Sequence, residues 1–208
     1  MMKKKTIVVA SNNRGKIKEI KAILPDFEIL SLKEAGIISN PDETEDTFEG
    51  NALIKAKDAK KFTQHMVIAD DSGLEVYCLN YLPGVLSKRF YACINSSIIE
   101  DNQNSDSYDK LNTKALLKIM RNIKHENRDA RFVSCVALIK EDGTHAVFYG
   151  ECEGRILFES RGRLGFGYDP IFMPNGFNLS FAEMSEEQKN KISHRSAALN
   201  KLKEYLND

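Results

Sequence analysis

No stretch of eighteen apolar residues occurs anywhere in this chain of 208 residues, so no segment has the length of a bilayer-spanning helix. An excess of either charge is lacking too, because thirty lysines and arginines offset thirty aspartates and glutamates. No overall field favours a nucleic acid or an anionic membrane, and any grip on phosphate must be local. There is also no RNP-type pattern, which with the neutral charge argues against RNA as a partner. The four cysteines, Cys78, Cys93, Cys135 and Cys152, form no CxxC pair. Cys78 and Cys135 fall in strand-like runs and are expected to be small buried hydrophobes, in keeping with a reducing compartment. Met1 to Lys5 is basic, but the apolar run behind it, Ile7 to Ala10, is too short for a signal core. The expectation is a soluble, cytoplasmic protein without disulfides.

What is present is an alternation of strand and helix signals. Thr6 to Ala10 reads as a buried strand and Phe27 to Leu30 as a second. Between them, Ile17, Ile20, Ile23 and Leu24 recur at helical spacing until Pro25. Phe48, Ala52, Ala56 and Ala59 mark the inner face of another helix, with Lys55, Lys57, Lys60 and Lys61 on its other side. Met66 to Ala69 reads as a strand ending at two aspartates, and Leu74 to Cys78 as a separate strand. Leu111, Ala115, Ile119 and Ile123 define an amphipathic helix. Arg131 to Ile139 and His145 to Gly150 flank a hairpin turn at Glu141-Asp142-Gly143. Leu199, Leu202, Tyr205 and Leu206 give a last helix, capped by Ser193. Asn95 to Ser107, rich in Asn, Ser and Asp, reads as a surface loop. This order predicts one α/β domain over residues 1–208, with a mixed sheet flanked by helices.

Four polar clusters sit where elements begin or end. Ser11-Asn12-Asn13-Arg14-Gly15-Lys16 joins a strand to a helix, where backbone amides and the helix dipole suit an anion and Lys16 adds a point charge. It lacks Walker A spacing. Asp70-Asp71-Ser72-Gly73 sets two carboxylates side by side; they repel unless a cation intervenes, and oxygen ligands of this kind suit Mg²⁺. Gly165-Phe166-Gly167-Tyr168-Asp169-Pro170 offers rings that can stack on a base and a carboxylate that can accept from one. Ser193-His194-Arg195 puts an arginine in the first turn of a helix, against the dipole, which marks a functional acceptor nearby. Each cluster alone also reads as an ordinary turn or cap; together they describe a nucleoside triphosphate site. Glu43, Glu45, Asp46 and Glu49 precede or begin the lysine-rich helix, where acids are favoured in any case.

In this order and at these separations the clusters resemble the inosine triphosphate pyrophosphatase family, from about Ile7 to Leu206. Thr47-Phe48-Glu49-Gly50-Asn51-Ala52 with Lys55, Leu82-Pro83-Gly84-Val85 with Ser87, Lys88 and Arg89, and Phe181-Ala182-Glu183-Met184 with Lys189 extend the likeness. The resemblance implies an elongated mixed sheet with helices around it, two lobes about a central cleft, and a homodimer. It implies hydrolysis of non-standard purine nucleoside triphosphates (dITP, ITP, XTP) to the monophosphate and pyrophosphate. By the same resemblance, Ser11 to Lys16 and Lys55 hold phosphate, and Asp71 is the general base and a Mg²⁺ ligand beside Glu43. Ser72 touches substrate, while Phe166, Gly167, Tyr168, Asp169, Lys189, His194 and Arg195 bind the nucleoside. A family glycine in the metal loop is replaced here by Glu45. The purine 6-carbonyl would accept from His194 or Arg195, where adenine presents a donor instead. The alternatives are a nucleotide binder that does not hydrolyse, and a pyrophosphatase for other modified nucleotides.

Overall fold

The computed structural model describes residues 4–94 and 107–207. Six strands form one sheet in the order β2-β1-β3-β4-β5-β6: β1 (Thr6–Val9), β2 (Glu28–Ser31), β3 (Met66–Val76), β4 (Asp129–Ile139), β5 (His145–Ile156) and β6 (Phe172–Pro174). The helices are α1 (Arg14–Ile23), α2 (Phe48–Lys60), α3 (Phe90–Cys93), α4 (Tyr108–Ile119), α5 (Glu186–Asn190) and α6 (His194–Asn207), joined in places by short 3₁₀ turns. β1 runs parallel to β2 and β3, and β6 antiparallel to β5, so the sheet is mixed as expected. Nearly the whole surface-loop expectation, residues 95–106, lies outside the described residues.

Two compact units make up the chain: residues 1–72, 134–151 and 192–208, and residues 73–133 and 152–191. In the first, Ile7, Val9, Met66, Ile68, Val136 and Leu138 from the sheet pack with Ile20 and Leu24 of α1 and Ala198, Leu199 and Leu202 of α6. β-branched strands meet helices that each offer one apolar stripe, which is why this layer forms. Gly150 lets α6 lie directly on β5: a Cβ there would sit 2.1 Å from the His194 carbonyl oxygen. The second unit is centred on Phe132, Phe172 and Phe181, whose ring centroids are 4.8 to 5.8 Å apart. Its buried Arg128 donates to the carbonyls of Met120, Ile123, Ile156 and Leu157, so its charge is spread over main-chain acceptors.

Two expectations are corrected. The strand at Met66 does not stop at the aspartates; β3 continues through Asp70-Asp71-Ser72-Gly73 to Val76, because partners on neighbouring elements neutralise the first carboxylate. Cys78 is exposed rather than buried, since the strand ends at Val76 and Cys78 falls in a single 3₁₀ turn. Cys135, in β4, is buried, and burial pushes its thiol up to about 12.

Candidate active site

Asn13 caps α1 by accepting from the Lys16 amide, and Ser11 accepts from the Asn13 amide, so the strand-to-helix turn is fastened by its own side chains. Asn12 faces the other way and accepts from the Lys33 amide. Arg14, the first residue of α1, is exposed. This winding aims Lys16 at β3, where its ammonium lies 2.6 Å from Asp70 Oδ2 and 3.2 Å from the Asp70 carbonyl oxygen. Lys55, from α2, reaches the same carbonyl at 3.1 Å and Asp71 Oδ1 at 2.6 Å. Two ammonium groups from two helices thus meet at one peptide oxygen of the sheet.

Glu43 is the acid of its loop that joins this group, with Oε1 3.3 Å from Lys55 Nζ. Its neighbours are engaged elsewhere. The Glu45 main chain exchanges two hydrogen bonds with the Asn51 side chain, and Glu49 accepts from the Tyr149 hydroxyl. A Cβ on Gly50 would meet the Glu45 side chain at 2.6 Å, so that glycine makes room for Glu45.

The electrostatics separate the two aspartates. Burial disfavours the Asp70 charge, but Arg195 and Lys16 outweigh it and hold its carboxyl well below the usual carboxylate range. Asp71 moves the other way: burial pushes its carboxyl up, and the pull of Lys55 does not fully offset this. Burial lowers the Lys16 ammonium despite Asp70, whereas Lys55 is raised because Asp71 and Glu43 overcome its desolvation. One aspartate is therefore a permanent anion and the other a carboxylate of increased basicity.

His194 and Arg195 do open α6, and the Ser193 hydroxyl accepts from the Ser196 amide as a cap should. The Arg195 side chain is engaged within its own unit. Its side chain is 1% exposed; Nε and Nη2 donate to Asp70, Nη2 also to Ser72, and Nη1 to Glu19 of α1. A guanidinium held by two carboxylates, Asp70 buried and Glu19 partly buried, braces the strand. Ser72 is likewise turned inward, accepting from Arg195 and donating to Asp70. His194 is buried beside it. Sequence reasoning missed Glu19 and Ser134, which donates to Asp70 from β4. The signals were available: Glu19 lies one helical turn after Lys16, and Ser134 interrupts an apolar strand.

In the second unit, the loop from Gly165 to Pro170 is wound tightly. Gly165 and Gly167 have φ of +74° and +59°, a region glycine enters without steric cost. Asp169 is buried, and its Oδ2 accepts from the Phe166 amide at 2.9 Å and from Lys189 Nζ at 2.7 Å. The Lys189 ammonium also lies 4.8 Å from the Phe166 ring centroid. Tyr168 is buried and its hydroxyl donates to the Ser87 carbonyl.

A sequence profile described as the Ham1 family matches residues 7–205. The chain belongs to the Ham1 family. A dITP/XTP pyrophosphatase from Clostridium tetani is 43% identical over 210 residues, covering 97% of this chain and 96% of that protein. One from Haemophilus ducreyi is 41% identical, covering 99% and 100%. Among solved structures, the Staphylococcus aureus Ham1 protein matches with a TM-score of 0.80 at 39% identity, covering 98% of each chain. A HAM1 protein from Coxiella burnetii gives 0.81 at 35% identity with the same coverage. The expected family is thus borne out over residues 7–205 of this Ham1 chain, and the expected fold class by its described residues.

As metal ligands, Asp71 and Glu43 are hard oxygen donors gathered at one ammonium. Among the described residues no three His, Cys, Asp or Glu side chains are grouped to cage an ion. Two carboxylates completed by water and phosphate are the donor set Mg²⁺ takes, so these residues fit it. No described helix is long and apolar enough to cross a membrane.

Proposed function

We propose that this Ham1-family chain hydrolyses non-standard purine nucleoside triphosphates, such as dITP, ITP and XTP, to the monophosphate and pyrophosphate. The observation that carries the reading is the meeting of Lys16 and Lys55 at the Asp70 carbonyl, flanked by the Asp71 carboxylate. A triphosphate repels a nucleophile until its oxygens are neutralised, and phosphoryl transfer depends mainly on positioning and charge. Lys16, Lys55 and the Ser11 to Lys16 turn would take the phosphates, with Lys55 exchanging a carboxylate for a phosphate oxygen. Asp71, made more basic by burial, would accept the proton of the water that attacks the α-phosphorus.

The donor chemistry suits a divalent ion: Asp71 and Glu43 both approach the Lys55 ammonium. They would hold Mg²⁺, which when bound would offset phosphate charge and acidify its water. Asp70, with Glu19 and Arg195, sets the height of the two lysines and does no chemistry itself.

The nucleoside would be bound by Phe166, Gly167, Tyr168, Asp169 and Lys189, with the Phe166 ring for stacking and Lys189 donating to the purine 6-carbonyl. Adenine offers an amino donor at that position, and leaving buried donors opposed costs about 1–3 kcal/mol each, or roughly 5- to 150-fold per mismatch. The working unit is proposed to be a homodimer in the cytoplasm; sedimentation equilibrium at micromolar protein tests the first point. The central test measures pyrophosphate against orthophosphate released from ITP, dITP, XTP, ATP, GTP and modified pyrimidine triphosphates, with and without Mg²⁺. Pyrophosphate from the first three only, and only with Mg²⁺, is the expected result. Binding without release would mark a silent nucleotide binder, and turnover confined to pyrimidines another substrate class.

A further inference from the structure

Within the base loop, four of the five residues from Gly165 to Asp169 are fixed by their own sequence neighbourhood or by a side chain. A Cβ on Gly165 would lie 2.0 Å from Asp169 Oδ2, the Phe166 amide donates to Asp169, Tyr168 is tied to Ser87, and Asp169 is paired with Lys189. Gly167 has no side chain to anchor, and a Cβ added there would meet nothing within 4 Å. Its peptide groups are instead held from α4. Asp109 Oδ2 accepts from the Gly167 amide at 2.9 Å, and the Thr113 hydroxyl lies 3.2 Å from the Gly167 carbonyl oxygen as a donor. That hydroxyl has a single proton, which it shares with the Asp109 carbonyl oxygen at 2.9 Å. Residues four apart share one helix face, so a single turn of α4 grips both sides of one glycine.

We infer that Asp109 and Thr113 are positioning residues for base recognition. They hold Gly167 in its left-handed conformation, and so fix the spacing of the Phe166 ring and the Asp169 carboxylate on either side of it. Without the grip, glycine has the widest conformational choice of any residue, and the ordering of the loop must be supplied by substrate. The inference rests on the reading that this loop binds the base. Neither residue touches substrate in it, and neither belongs to any motif through which the family resemblance was drawn.

The test is steady-state kinetics on the full chain with ITP and ATP. Asp109→Ala is expected to raise KM for ITP roughly five- to tenfold with a smaller change in kcat, and to lower the ITP-to-ATP ratio of kcat/KM by a similar factor, as expected for one lost charge-assisted hydrogen bond. Asp109→Asn keeps an acceptor oxygen and should restore most of the KM. Thr113→Val, which keeps the volume of a buried side chain, should shift KM in the same direction. Unchanged KM and selectivity in Asp109→Ala and Thr113→Val, even with lower melting temperatures, would overturn the inference, as would an Asn variant no better than Ala. Asp169→Asn separates the layers. If it alters selectivity while the α4 variants do not, the loop reading survives and the grip is wrong. If it also changes nothing, the loop does not read the base and both fail.

Discussion

Replacing Asp70 by asparagine keeps the shape of the side chain and removes only its charge. In the native chain that charge faces Lys16 and Arg195 in a site where the Asp70 and Arg195 side chains are each 1% exposed. The variant leaves two cations there, with Glu19 as the remaining carboxylate on Arg195. Lys16 can shed its proton, and burial already lowers its pKa; Arg195 cannot. Removing one partner of a buried ion pair costs about 3–5 kcal/mol. For a chain of this length that is a fall in Tm of roughly 6–20 °C. Differential scanning calorimetry at neutral pH reads it directly, with Asp71→Asn as the comparison, because Asp71 lies at the edge of the network and its loss should cost much less stability. A Tm within about 2 °C of the parent for Asp70→Asn would refute the assignment of Asp70 as the anchor of this site.

Asp71→Asn should lower kcat by about 10²–10⁴, the usual worth of a general base, while nucleotide binding measured by calorimetry stays within a few-fold. Full turnover in that variant would remove Asp71 from the chemistry. Glu34 accepts from the Ser31 amide and from Lys21, and these bonds bring its carboxyl down to about 2. Its contribution to stability is therefore complete above the unfolded value of about 4.3 and fades as pH falls through 2. Carboxyl NMR titration should find Glu34 still ionised near pH 3, and a midpoint near 4 would show that the Ser31 bonds are absent in solution. Gly150→Ala should lower stability by roughly 1–3 kcal/mol, because the new Cβ meets α6 backbone that cannot move without shifting His194 and Arg195. An unchanged Tm for that variant would mean α6 does not rest on β5 at this point.

The layered α/β order was legible because the apolar stripes of α1, α2 and α6 and the β-branched run of β1 obey simple periodicities. Lys16 and Asp71 stood out from their own motifs, whose residue types already imply phosphate chemistry, whereas Lys55 and Glu43 were drawn to them only by the family resemblance. What stayed hidden was the division of labour inside the Asp-Asp pair. Two adjacent carboxylates look alike in sequence, and the partners that satisfy the first come from far along the chain: Lys16 of α1, Arg195, 125 residues further on, and Ser134 in β4. For the same reason the partners of Arg195 were hidden: position in a helix shows a conflict with the dipole, but not which carboxylates resolve it. Continuity of β3 was hidden because Asp-Ser-Gly is favourable turn chemistry, and long-range ion pairing overrode that local preference. The grip of α4 on Gly167 joins residues 58 positions apart through a main-chain amide, which leaves no pattern in side-chain types.

Where water enters the triphosphate is the most direct test of the proposed hydrolysis. Single-turnover hydrolysis of ITP in ¹⁸O-labelled water, followed by mass spectrometry of both products, locates the new phosphorus–oxygen bond. Attack at the α-phosphorus beside Asp71 and the paired lysines places the label in the monophosphate and leaves the pyrophosphate unlabelled. Label in pyrophosphate, or in released orthophosphate, would contradict it.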